Sequence, residues 1–147
     1  MIAYFGMQQD VEVRMRTMRM IWIAMLMSIG FYYAFTYFVA RPENVEPNST
    51  LFFVLAGIAL STTLISFPVK NKLVNLAIEQ QHVPLVQQGY IAAWALSEIP
   101  ALLGLLDFFL TGNRYFYVLF LIAVIAQLLH FPRREHVINA SFKKPIF

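Results

Sequence analysis

Cysteine is absent from this chain. Its absence removes disulfides, thiolate nucleophiles, iron–sulfur clusters and cysteine zinc sites together, and it leaves the redox compartment undetermined. Charge is scarce as well: 13% of the residues are Asp, Glu, Lys or Arg, against 59% hydrophobic and 16% aromatic. That balance lies far outside the range of soluble domains and describes a polytopic membrane chain. No Ser/His/Asp constellation, paired intramembrane carboxylates, phosphate loop or HExxH motif is present, so a self-contained enzyme is not expected, although the chain can serve as a subunit of one. With 147 residues, nearly all the mass is needed to cross the bilayer, and no soluble catalytic domain fits beside the helices.

What the chain does have is four apolar runs, roughly 18–40, 51–69, 89–110 and 115–131, where a spanning helix needs about 20 residues. The second and fourth are short, about 19 and 17 residues, and must stand upright, thin the bilayer or borrow flanking aromatics. The expectation is an all-α bundle of four transmembrane helices forming one membrane domain over 1–147. In an alternative, the third and fourth runs form a re-entrant pair around Thr111-Gly112-Asn113. The first run is too long for a signal-peptide core and is preceded by Asp10 and Glu12, so it is expected to stay in the mature protein.

Basic residues set the orientation. Arg14, Arg16, Arg19, Lys70, Lys72, Arg133, Arg134, Lys143 and Lys144 fall on one side. Of the 11 Lys and Arg residues only Arg41 and Arg114 fall on the other. Both termini are therefore expected to be cytoplasmic, in an inner or cytoplasmic membrane. The net charge of +3 is then explained by membrane ends and anionic headgroups, not by a nucleic-acid surface. The outer connection 41–49 contains Pro42 and Pro47 and reads as extended. The connection 70–88 reads as a polar cytoplasmic segment with a short interfacial helix that ends before Pro84. Residues 1–16 mix apolar and charged side chains and read as an interfacial or frayed segment; 139–147 reads as an adherent tail.

Glu98 is the outstanding residue, a lone carboxylate near the centre of the third run. Such a group costs several kcal/mol in lipid and normally faces a partner, a cavity or a proton path. Ala93, Ser97, Ala101 and Gly104 form a small-residue stripe beside it, which permits close approach of another helix. Pro100 cannot donate to the carbonyl of Leu96 and leaves an acceptor one turn from the carboxylate. Glu98 is thus a candidate proton carrier. The plainer reading has it bonded to Ser61, Thr62, Thr63, Ser66 or Gln127 on neighbouring helices, fixing their packing.

The string Ala95-Leu96-Ser97-Glu98, followed by an apolar run containing Gly104, resembles the carboxylate-bearing helix of the proteolipid c subunits of rotary ATP synthases. The resemblance implies that Glu98 carries the translocated proton or sodium ion, on a helix that leaves a cytoplasmic loop. It covers about a dozen residues. The run 51–69 has Gly57 where that family has regularly spaced glycines, and the family's tight polar loop is replaced by nearly twenty residues. Small four-helix multidrug transporters share the size and the single glutamate, but theirs lies in the first helix, so no residue carries over.

The secondary polar candidates are Asp107, Gln127 and His130. Asp107 is expected near the outer interface with access to water, pairing with Arg114 or capping its helix. His130 is expected as an interfacial histidine with Gln127 one turn earlier; a bis-histidine haem would need a second membrane histidine, whereas His82 and His136 lie in a loop and a tail. The tyrosines and both tryptophans, Trp22 and Trp94, read as interfacial anchors. The aromatic cluster 31–38 suits a quinone, a pigment or lipid equally, and no cofactor or metal is assigned. The sequence expectation is a small non-catalytic membrane subunit that packs with other integral membrane subunits and with lipid; a homo-oligomer using Glu98 for proton or cation transport is the alternative.

Overall fold

The computed structural model describes the backbone of residues 2–39 and 48–141 and the side chains of 10–39 and 48–141. The described residues form five helices: α1 Ile2–Phe38, α2 Ser49–Gln80, α3 Val83–Thr111, α4 Tyr117–Leu129 and α5 Arg134–Ser141. The connection 41–47, with Arg41, Glu43 and Glu46, and residues 142–147, with Lys143 and Lys144, lie outside the described residues. By length and hydropathy α1, α2 and α3 can each cross a membrane, and α4 with α5, bent by 43°, makes up to a fourth crossing.

Two expected boundaries are corrected. The segment 2–16 is neither frayed nor a separate interfacial piece: α1 runs unbroken over 37 residues, about 55 Å at 1.5 Å per residue. The helix expected to end before Pro84 is present, but it is the last part of α2, and the connection shrinks from 70–88 to the two residues Gln81 and His82. α2 continues from the apolar run through Pro68 and Lys70 to Gln80, and α3 starts at Val83. The reason is spacing: Ser66, Lys70, Val74 and Ala77 are all buried, at the intervals of one helical face. Local chemistry then makes a tight turn. Gln81 adopts the left-handed conformation (φ 52°) and its N–H reaches the carbonyls of Ala77 and Ile78, while His82 N–H donates to the Ala77 carbonyl at 2.9 Å. Pro84 follows in the first turn of α3, where its missing N–H costs nothing.

At its opposite end α2 is capped by Asn48, whose side chain accepts from the Leu51 N–H at 3.1 Å. α3 ends on Gly112 in the left-handed conformation. Asn113 then accepts from the Tyr115 N–H at 3.0 Å and turns the chain into α4.

α3 is the central helix. In its most apolar stretch 44% of residues are buried within the molecule, against 11% for α1 and 17% for α2. Two close approaches seat it. A Cβ on Gly89 would lie 3.1 Å from Leu73 Cβ on α2, and one on Gly104 would lie 2.9 Å from the Phe120 ring on α4. The core divides by level. At the basic end Val11, Met15 and Met18 of α1 meet Val74, Ala77, Val86, Tyr90 and Trp94, closed by Val137 and Ala140 of α5. Towards the other end Ile29, Ala101, Phe108, Phe116, Phe120 and Ala123 pack together, and Leu55, Ala59 and Leu119 join α2 to α4.

Candidate functional site

Glu98 faces α1. Its Oε1 accepts a 2.5 Å hydrogen bond from the Ser28 hydroxyl, and Tyr32, one turn further along α1, lies beside the same carboxylate. The partners considered from sequence are not on Glu98: Ser61 donates to the Gly57 carbonyl and Thr62 to that of Ala59, Ser66 donates to the Thr63 carbonyl and contacts His130, and the Thr63 hydroxyl and the Gln127 amide are buried without a hydrogen-bond partner. Ser28 Oγ also lies 2.7 Å from the Met25 carbonyl. A hydroxyl has one proton, so it serves either that carbonyl or Glu98 at a given moment. Glu98 keeps partial exposure, which leaves the carboxylate at the edge of the α1–α3 contact.

The small-residue stripe is consumed inside the chain. Ala93, Ser97, Ala101 and Gly104 are all buried. Ser97 donates to the carbonyl of Ala93 at 2.8 Å, Ala101 belongs to the cluster with Ile29 and Phe120, and Gly104 receives α4. Pro100 is likewise buried within an unbroken α3. The close approach of another helix expected of this stripe is made within the molecule, where Gly104 and Ala101 meet α4.

Asp107 is fully buried and does not reach water. Its Oδ1 accepts from the Thr111 hydroxyl at 2.8 Å, and Thr111 Oγ1 in turn accepts from the Asn113 N–H at 3.1 Å. Arg114, the expected partner, points outward as an exposed residue. Asp107 therefore organises the α3–α4 turn from inside. The spacing of Asp107 and Thr111 by one turn is the signal that could have found this role, but the burial does not show in the sequence because the run is apolar on both sides.

His130 is also fully buried within the molecule. Its Nε2 lies 3.0 Å from Ser66 Oγ, and its ring meets Phe67 edge-on at 4.4 Å between centroids. Around it the structure gathers groups that sequence reasoning did not connect. Lys70 Nζ sits 5.7 Å from the ring centres of both Phe67 and Tyr90, a cation–π pairing that lets a charge sit in a largely apolar place. The Tyr90 hydroxyl lies 2.8 Å from His136 Nδ1 and accepts from the Arg133 N–H at 3.0 Å.

Both tryptophans serve the end of α4. Trp22 Nε1 donates to the Gln127 carbonyl at 2.8 Å, and Trp94 Nε1 donates to the His130 carbonyl at 2.9 Å. The last carbonyls of a helix lack partners within it, and here the two indoles supply donors. The Gln127 side chain, by contrast, is buried with both amide atoms unpartnered. Among the described residues no three His, Asp or Glu side chains gather as a metal-holding group. The histidines are dispersed: His130 is on Ser66, His136 on Tyr90, and His82 is exposed at the α2–α3 turn.

The arrangement thus offers one half-exposed carboxylate held by hydroxyls and a buried polar knot at the basic end that binds α2, α3, α4 and α5 together. Comparison of the chain with protein-family models, with curated proteins and with solved structures finds no match.

Proposed function

We propose that the chain is a small non-catalytic integral membrane subunit that crosses the bilayer four times, with both termini on the cytoplasmic side, and packs within a larger membrane complex. One observation carries this reading: α1 and α2 leave most of their apolar length uncovered by the molecule itself, with Phe31 70% and Phe38 88% exposed on α1 and Phe53 70% on α2. Such faces are held by lipid or by other membrane helices. In this reading Glu98 is a staple between α1 and α3, and the basic-end core of α1, α2, α3 and α5 is the part that meets partners at the membrane surface.

A second reading rests on a different observation. The single proton of Ser28 is contested by Met25 and Glu98, so a change in the protonation of the half-exposed carboxylate switches the hydroxyl between them. That supports a proton- or cation-carrying role for Glu98 in an oligomer.

Purification in gentle detergent, with identification of co-purifying chains and with Glu98→Gln in parallel, separates the two. The subunit reading expects recovery with different, larger membrane proteins whose activity Glu98→Gln leaves intact. Recovery as a homo-oligomer, with ion flux lost in Glu98→Gln while assembly survives, would replace it with the second.

A further inference from the structure

The basic end carries a groove between α1 and α5 that none of the roles above uses. It encloses about 370 Å³ and is lined by Glu12, Met15, Arg16, Arg19, Met20 and Ile23 of α1 and by Arg134 of α5. Three arginines line it with a single glutamate, an excess of two positive charges. We propose that this groove binds the headgroup of an anionic phospholipid, with preference for a lipid carrying two phosphates.

The argument is one of register. Arg16, Arg19, Met20 and Ile23 recur at the spacing of a single helical face, and Arg16 and Ile23 are separated by about 10 Å along the axis. The face is therefore cationic at one end and apolar at the other, as a phospholipid is anionic at one end and apolar at the other. Met20 and Ile23 are 55% and 51% exposed, and Met27, one turn further, is 58% exposed, so the apolar track continues past the groove in the direction an acyl chain would take. Arginine forks match phosphate oxygens two at a time, and their aliphatic stems can lie along the apolar track while the heads reach the headgroup level. Arg134 closes the groove from α5, which the Tyr90 hydroxyl fixes by accepting from the neighbouring Arg133 N–H. An excess of two positive charges selects a doubly charged headgroup over a singly charged one. Free phosphate shares the charge but not the apolar track.

The proposal goes beyond the subunit reading and needs no partner protein, so a titration of the purified chain tests it separately. The full chain in neutral detergent is titrated with diphosphatidylglycerol, phosphatidylglycerol, phosphatidylcholine and inorganic phosphate, and bound lipid is counted by native mass spectrometry. One diphosphatidylglycerol per chain should bind most tightly, phosphatidylglycerol more weakly and phosphatidylcholine least, with inorganic phosphate unable to displace the lipid at equal concentration. The double substitution Arg16→Gln/Arg19→Gln should weaken binding by about thirty-fold and Arg134→Gln alone by about five-fold, taking one arginine near an anionic headgroup as about five-fold. Lys72→Gln, exposed on α2 outside the groove, should leave it unchanged. Arg134→Gln keeps α1 intact, so the test survives if the double variant fails to fold. Equal affinity for phosphatidylcholine, an equal loss in Lys72→Gln, or displacement by inorganic phosphate would each overturn the proposal.

Discussion

A Cβ at position 104 would sit 2.9 Å from the Phe120 ring and 3.1 Å from Leu119 Cβ. The ring end can swing, but Leu119 Cβ is fixed to the α4 backbone, so α4 itself must yield. Gly104→Ala is expected to lower stability by about 1–3 kcal/mol, the usual cost of overpacking. Gly57 has nothing within 4 Å of the same atom, so Gly57→Ala should be neutral or raise stability by up to about 1 kcal/mol. Thermal unfolding of both variants in detergent checks the contrast, and equal effects would mean that α3 and α4 are less intimate than described. Tyr90 is the second sensitive position, since its hydroxyl holds His136 and the Arg133 N–H together. Tyr90→Phe should cost about 1–2 kcal/mol by leaving both without that partner.

At the scale of the elements, what the sequence showed and what it hid have physical causes. Long apolar runs announce helices of spanning length because hydropathy reports the surroundings a side chain prefers. It does not report where a backbone stops being helical. In the sequence Lys70 and Lys72 read as the end of an apolar run, yet α2 passes through both, and Lys70 shelters over Phe67 and Tyr90. Pro68 lies on the exposed side of this unbroken α2. Glu98 was legible as an anomaly of one charge in an apolar run. Ser28 was not legible as its partner, because neither residue carries a mark of which helices adjoin. The turn after α2 gives a direct test. Gln81 is a non-glycine residue at φ 52°, where a β-branched side chain is strained, so Gln81→Val should cost about 1–2 kcal/mol. Gln81→Asn, which tolerates that conformation, should cost less. Equal melting temperatures for the two would count against the tight α2–α3 turn.

For the whole molecule, the proposed four crossings make a statement about sides. A chain without cysteine is suited to the measurement, since each introduced thiol is alone. Asn48→Cys and Arg114→Cys should react with a membrane-impermeant thiol reagent from the outer face, and His82→Cys and Asn139→Cys only in inverted vesicles, whose cytoplasmic face is turned outward. Labelling of positions 48 and 82 from the same side would rule out the arrangement.

The chain has two tryptophans, and their indoles both donate to carbonyls at the end of α4. Its tryptophan fluorescence, excited selectively at the red edge where tyrosine does not absorb, therefore comes from a single place, the junction between α4 and α5. Emission from this protein will not average over the bundle. It will report whether that junction is closed, and a ligand, a pH change or a partner that loosens α5 will register optically without any added probe.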